Sequence, residues 1–97
     1  MVIWSETSRK DLQKIYNFIA TDSPTYGRKL ISSIIKKAQV LNTFPAMGRM
    51  VPEIADESIR EMIISQYRVI YSISSKGDVE ILAVIHGKRD FDDAFDL

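Results

Sequence analysis

One stretch of the sequence decides the fold: residues 58–91 read SIREMIISQYRVIYSISSKGDVEILAVIHGKRDF. Its runs of Ile, Val and Tyr predict three consecutive antiparallel strands, at about residues 59–64, 67–73 and 79–85. The segment Ser74-Ser75-Lys76-Gly77-Asp78 has the composition of a tight turn between the last two strands. Ser65 and Gln66 are not a typical turn sequence, so the sequence does not define the boundary between the first two of these strands.

The two later strands of this stretch differ in pattern. In the middle strand, Tyr67, Val69, Tyr71 and Ile73 fall on one face, and Arg68, Ile70 and Ser72 fall on the other. The last strand is almost entirely apolar, which predicts a central strand covered on both faces.

The segments before this stretch predict a short strand and two helices. Residues 1–4 favour a strand, and Ser5, Thr7 and Ser8 offer oxygens for a helix N-cap, with Ser8-x-x-Asp11 resembling a capping box. Leu12, Ile15, Tyr16 and Ile19 then form one helical stripe, which Phe18 widens. Ser23 followed by Pro24 predicts a second helix that runs to about Asn42 and forms an antiparallel hairpin with the first.

The predicted order is therefore β-α-α-β-β-β, an α+β fold in which a helix hairpin packs on an antiparallel sheet. The 97 residues correspond to a single domain. In the tail, Phe91 and Phe95 have the spacing of a final helical turn.

Composition narrows the class of protein. No apolar run is long enough to span a membrane, and the N-terminus lacks the pattern of a signal peptide. The absence of cysteine excludes disulfides and thiolate metal sites, and we expect a cytoplasmic protein without a metal or cofactor.

The net charge of the chain is zero, but residues 1–50 carry a net charge of +5 and residues 51–97 carry −5. This asymmetry indicates either two solvated faces or a basic helical face for an acidic partner.

The candidates for chemistry lie on the predicted sheet and at the end of its last strand. His86 is the only histidine, and its intrinsic pKa suits acid–base catalysis, although a structural role is the commoner one. Arg60, Arg68, Lys88 and Arg89 could converge to bind phosphate or carboxylate. The alternative is surface charge paired with Glu61, Glu80 or Asp90. No nucleophile stands beside a base, and no glycine-rich phosphate loop is present.

Four motifs together resemble the RelE/ParE toxin superfamily, most closely its ParE branch, often labelled plasmid stabilization system proteins. They are WSETSxxDLxxIYxFI (residues 4–19), FPAMGRxVPE (44–53), IRExIxxxYRVIY (59–71) and ILAVIHGKRDF (81–91). The resemblance covers nearly the whole chain. It implies the same β-α-α-β-β-β fold and a toxin of a type II toxin–antitoxin pair, which is held in a hetero-oligomer by a small ParD-like antitoxin.

The branches of this superfamily differ in target. ParE-like members poison DNA gyrase, whereas RelE-like members cleave mRNA in the ribosomal A site. Arg68 and Arg89 match functional arginines of the ribonuclease branch. However, Ile59 and Glu61 stand where that branch has lysines, and Phe95 stands where it has a tyrosine. These losses remove cations and a hydroxyl that RNA cleavage would use, and favour the ParE-like function.

The resemblance assigns roles to the candidate residues. In a gyrase inhibitor the target-binding residues are Arg60, Arg68, His86, Lys88 and Arg89. In the alternative, a ribosome-dependent endoribonuclease, the catalytic residues are Arg68, His86 and Arg89. For the antitoxin, we expect an amphipathic segment laid against the helix hairpin and the sheet edge. Its acidic groups would be attracted by the antitoxin-binding cations of the two helices, which are Lys10, Lys14, Arg28, Lys29, Lys36 and Lys37. A third possibility is an antitoxin-binding module that has lost its toxicity.

Overall fold

The computed structural model describes residues 1–87. Lys88, Arg89 and the predicted turn at Phe91 and Phe95 lie outside the described residues. The strands are β1 (Val2–Trp4), β2 (Arg49–Met50), β3 (Ile59–Ile64), β4 (Tyr67–Ile73) and β5 (Val79–His86). The helices are α1 (Glu6–Ala20) and α2 (Pro24–Ala38), followed by short 3-10 helices at Gln39–Asn42 and Pro45–Met47.

The strands form one five-stranded sheet in the order β1-β5-β4-β3-β2. The predicted α+β fold is confirmed. β5 lies inside the sheet between β1 and β4 and is covered on both faces, as its apolar sequence predicts, although the middle strand of the five is β4. The sheet is mixed rather than wholly antiparallel, because β1 pairs in parallel with β5 through Val2 opposite Val79. It also gains the two-residue strand β2 within a predicted loop. Neither the direction of a long-range pairing nor so short a strand leaves a local sequence pattern.

The caps of the helices differ in how well the sequence predicts them. Ser23 accepts a hydrogen bond from the Tyr26 N–H at 3.2 Å, so the predicted start of α2 is confirmed. The N-cap of α1 is Ser5, whose hydroxyl accepts from the Ser8 N–H at 3.0 Å. The capping box predicted at Ser8 and Asp11 is wrong, because Asp11 instead accepts a hydrogen bond from the sheet.

The end of α2 and the buried face of α1 each differ from the prediction. The α-helical part of α2 ends at Ala38, and the four residues expected to complete it form a 3-10 helix. Phe18 is 80% exposed, so it does not widen the buried stripe of α1. Its neighbours Ile15 and Ile19 do pack against the core.

Two apolar clusters fill the two sides of the sheet. The larger cluster lies between the sheet and the helix hairpin and includes Leu12, Ile34, Val69 and Tyr71. The smaller cluster lies on the opposite face and contains Val51, Ile70, Ala83 and Ile85, with Ile54, Ile59 and Leu82 packed against it. The predicted faces of β4 are thus confirmed, since Val69 and Tyr71 belong to one cluster and Ile70 to the other.

Tyr71 ties the loop after α2 to the sheet. Its buried hydroxyl donates to the carbonyl of Pro45 at 2.7 Å and accepts from the N–H of Gly48 at 2.9 Å. Gly48 must be a glycine here, because a Cβ would collide with the Glu61 carbonyl and the Tyr71 ring. This junction fixes where β2 begins.

Candidate functional site

Arg68 lies on the face of β4 that points away from the helices, where carboxylates surround it. Its Nε donates to Glu61 Oε1 at 2.7 Å, and its two terminal nitrogens bind both oxygens of Glu53 at 2.9 Å. The other Glu61 oxygen, Oε2, accepts from the Nε of Arg49 at 2.9 Å. We name these four residues, Arg49, Glu53, Glu61 and Arg68, the arginine–glutamate cluster.

The electrostatics of this cluster explain how a charged group is tolerated inside the fold. Glu61 is 1% exposed and Arg68 is 9% exposed, so both would be costly to bury alone. The hydrogen bond with Glu53 raises the pKa of Arg68, and the same contact lowers the pKa of Glu53. The guanidinium therefore stays charged, and a phosphate could engage it fully only by displacing Glu53.

Arg60 is also engaged in the fold. It lies opposite Tyr71 on the helix-facing side of β3. Its guanidinium donates to two backbone carbonyls, those of Gly48 at 2.9 Å and Glu57 at 3.1 Å. Arg60 thus helps to hold the loops at both ends of β2 and retains part of its surface for contact with a partner.

His86 lies at the end of β5, opposite Tyr67. The two rings meet edge to face, with centroids 5.5 Å apart, and His86 Nε2 lies 3.4 Å from Gln66 Oε1. Burial raises the pKa of Tyr67, so its hydroxyl remains protonated at neutral pH. A small cavity of about 240 Å³ beside His86 is lined in part by Lys14 and Phe18.

The structure does not bring Arg60, Arg68 and His86 together. Arg68 lies on the opposite face of the sheet from the other two. Arg60 and His86 share a face but lie opposite Tyr71 and Tyr67, which are about 13 Å apart along β4. Within residues 1–87, the predicted convergence of sheet cations is therefore not formed, and Arg68 instead follows the alternative of pairing with Glu61.

The helical cations divide into two groups. Lys10 forms an ion pair with Glu6 at 3.1 Å on α1, and Lys14 lies near His86. Arg28 and Lys36 line a groove of about 740 Å³ between α1 and α2, whose apolar floor includes Tyr16 and Ile35. A second groove, of about 800 Å³, is lined by Arg28, Lys29, Lys36 and Lys37. Since α2 contains no acidic residue, this surface is uniformly positive.

Sequence reasoning missed Arg49 and Glu53, which complete the arginine–glutamate cluster. One signal was available: Glu61 alternates with Ile59 and Ile63, so it lies on a strand face that is otherwise apolar. A carboxylate in such a position needs a buried cation. No local pattern identifies Glu53 as a further partner, because it approaches Arg68 only through the fold. Among residues 1–87, no group of three or more potential ligands could hold a metal ion, and no helix is long and apolar enough to cross a membrane.

Comparison with known proteins gives a family and a similar fold. Residues 2–91 match the family model described as the ParE toxin of the type II toxin–antitoxin system, parDE. A solved structure titled "Chromosomal ParDE TA system from P. aeruginosa" contains a similar chain, with a TM-score of 0.71 and 18% identity. The match covers 88% of this chain and 92% of that one. No curated protein sequence matches significantly.

Proposed function

Because the chain belongs to the ParE toxin family of type II toxin–antitoxin systems, we propose that it inhibits DNA gyrase by protein–protein contact and is neutralised by a cognate antitoxin. The family supplies the class of function, namely the toxin half of a two-component system. The mode of action is our inference, and it rests on the state of Arg68.

The arginine–glutamate cluster supports inhibition by contact rather than by catalysis. A ribonuclease needs cations and proton-transfer groups gathered around one phosphate. Here Arg68 is held by Glu53 and Glu61, while His86 lies on the other face of the sheet. Contact with a large protein makes no such demand, since exposed cations can act separately at the rim of an interface.

A supercoiling assay with purified toxin and gyrase tests the proposal. We expect micromolar toxin to block supercoiling and an excess of antitoxin to restore it. Gyrase that stays fully active would overturn the proposal. In cells induced without antitoxin, DNA synthesis should stop before protein synthesis. If translation stops first, the ribosome is the target, and Arg68, His86 and Arg89 become catalytic candidates.

His86 offers the clearest residue-level test of the target surface. We propose that Arg60, His86, Lys88 and Arg89 contribute to gyrase contact, but Arg60 also anchors two loops. His86→Ala should therefore weaken inhibition without unfolding the protein, by about tenfold if it lies in the interface. Glu80→Ala, an exposed change on the same strand, is the matched control.

For the antitoxin, we propose that an amphipathic helix lies in the groove between α1 and α2. Tyr16, Ile31 and Ile35 would receive its apolar face, and Arg28 and Lys36 would meet acidic side chains at its edges. Ile35→Asp should then abolish binding, because it places an unpaired charge in an apolar contact. Phe18→Asp, an exposed change on α1 that does not line this groove, should leave binding intact.

A further inference from the structure

The two glutamates of the arginine–glutamate cluster are held in different ways. The Glu61 side chain is fully buried, and its carboxylate binds both Arg49 and Arg68. The Glu53 side chain is 36% exposed, and its two carboxylate oxygens bind the terminal nitrogens of Arg68. Glu53 can therefore leave Arg68 by rotating into water, whereas Glu61 could leave only by burying an unpaired charge.

Rotation of Glu53 would open one side of the Arg68 guanidinium to another ligand. The Nε of Arg68 would stay on Glu61, and its two terminal nitrogens would each lose the acceptor that Glu53 provides. These two nitrogens form a planar fork whose spacing matches the two oxygens of a carboxylate. Glu53 thus occupies a position that a carboxylate from another molecule would fit.

The charge of the cluster also changes when Glu53 turns away. Two arginines and two glutamates balance, so the cluster without Glu53 carries one net positive charge. The contact with Arg68 and the nearby charge of Arg49 both lower the pKa of Glu53, so the site already favours a carboxylate anion. Arg68 is only 9% exposed, and water therefore screens its attraction for an anion weakly.

The surroundings of the cluster favour a carboxylate that belongs to a protein. Ile54, Ile59 and Leu82 pack on the apolar cluster of this sheet face and are only partly buried, which leaves apolar surface for contact. A nucleic acid would need several uncompensated cations, but the departure of Glu53 uncovers only one net charge. An acidic side chain with apolar neighbours therefore fits this site better than a phosphate backbone does.

We propose that Arg68, supported by Arg49, is a carboxylate-binding site, which Glu53 occupies in the free protein and an acidic side chain of a partner protein occupies in a complex. The exchange replaces one ion pair by another, so the buried guanidinium always keeps a counter-ion on this side. The inference goes beyond gyrase inhibition, because it concerns a class of ligand and holds whichever macromolecule the toxin inhibits.

Titration of the full-length Glu53→Ala variant with acetate tests for the site. The substitution removes the carboxylate that occupies Arg68, and acetate is a small carboxylate that can take its place. At constant ionic strength, acetate should shift the Arg68 guanidinium signals of the isotopically labelled variant and raise its midpoint of thermal unfolding. Acetate should bind this variant at least about tenfold more tightly than the wild type, in which Glu53 is an intramolecular competitor.

Glu57→Ala is the matched control, since it removes an exposed carboxylate from the same loop between β2 and β3. This control should gain no acetate site. If Glu53→Ala does not fold, Glu53→Gln is titrated instead, because it keeps the size of the side chain and removes only its charge. The proposal is overturned if acetate leaves the Arg68 signals of the Glu53 variant unchanged, or if it shifts those of Glu57→Ala equally.

Inorganic phosphate, used in place of acetate, distinguishes the two sources of an anion. We expect phosphate to bind Glu53→Ala within about tenfold of the affinity of acetate, because only one net charge is available to attract it. A much stronger preference for phosphate would overturn the acidic side chain as the ligand and indicate a nucleic acid instead.

Gyrase tests the exchange in a complex, and this experiment rests on the proposed function. Glu53→Gln removes the internal competitor, so it should inhibit supercoiling at about threefold lower concentration than the wild type. Glu57→Gln should inhibit as the wild type does. Equal or weaker inhibition by Glu53→Gln overturns the exchange. A wild type that does not inhibit gyrase overturns the proposed function alone, and the acetate titration then decides whether the site exists.

Discussion

The buried carboxylate of Glu61 shows how this fold stabilises charge beneath its sheet. Each of its oxygens accepts a hydrogen bond from a different arginine, Oε1 from Arg68 and Oε2 from Arg49. Two arginines surround this one carboxylate, so a second negative charge is needed. Glu53, which is more exposed, supplies it by accepting two hydrogen bonds from Arg68. A buried ion with all its partners contributes little net stability, but the loss of one partner leaves an uncompensated charge. The cluster therefore fixes the conformation of the segment that carries Glu53.

Glu53→Gln tests this interpretation through its pH dependence. The contact with Arg68 lowers the pKa of Glu53 below its ordinary value of 4.5. The charged form is thus favoured by folding, and its contribution is complete above pH 4.5 and is lost as pH falls through the lower folded-state pKa. At neutral pH the variant should be less stable by about 1 kcal/mol, a modest loss because Glu53 is partly exposed to screening solvent.

Urea unfolding at a series of pH values measures this effect. The stability difference between wild type and Glu53→Gln should shrink as pH falls below 4.5. Asp56, whose pKa is lowered by a hydrogen bond from the Ser58 N–H, is present in both proteins and cancels in the difference. Glu57→Gln changes an exposed carboxylate on the same segment and should have little effect at any pH. A pH-independent loss in Glu53→Gln would contradict the interpretation.

At the scale of elements, α1 completes the sheet where β1 ends. β1 pairs with β5 only as far as Trp4 opposite Ile81. Ser5 then bonds to the carbonyls of Ile81 and Leu82, at 3.0 Å through its N–H and 3.1 Å through its hydroxyl. Asp11 on α1 accepts from the Val84 N–H at 2.9 Å. A helix thereby satisfies backbone groups of a strand edge that would otherwise be unpaired.

Asp11→Ala should destabilise the protein through this edge. It leaves the N–H of Val84, a residue that is 3% exposed, without its acceptor, at a cost of about 1–3 kcal/mol. Asp11→Asn retains an acceptor oxygen and should cost less. Hydrogen exchange at Val84 should accelerate in the alanine variant and change little in the asparagine variant. Equal losses of stability in both variants would show that the charge of Asp11, rather than its hydrogen bond, is what matters.

The sequence predicted the elements whose signals are local. The alternation of β4 placed Arg68 and Ile70 together on one face, opposite to Val69 and Tyr71, and Ser23 with Pro24 defined the start of α2. It did not predict the parallel direction of β1 or the role of Asp11, because both depend on contacts between residues far apart in the chain. The same limit applies to the candidate site. Charge and residue type identified Arg68, but only the fold brings Glu53 against it and separates it from His86.

Across the whole molecule, charge is distributed so that one side can attract an acidic partner. The first half of the chain carries a net charge of +5 and the second half −5. On α2 the four cations Arg28, Lys29, Lys36 and Lys37 form no ion pair with another of residues 1–87. In contrast, the cations beneath the sheet are neutralised by glutamates. A protein of zero net charge can therefore steer an acidic partner towards its helical side.

Salt dependence of antitoxin association tests this steering. The association rate should fall by roughly tenfold between low salt and about 0.5 M salt, because long-range attraction is screened beyond a Debye length of only a few ångströms. Lys29→Gln combined with Lys37→Gln should slow association at low salt and flatten the salt dependence, while changing dissociation little. Lys76→Gln removes an exposed cation from the far turn and should leave the rate unchanged. A rate that is independent of salt, or equally slowed by both variants, would mean that α2 binds its partner through shape and apolar contact alone.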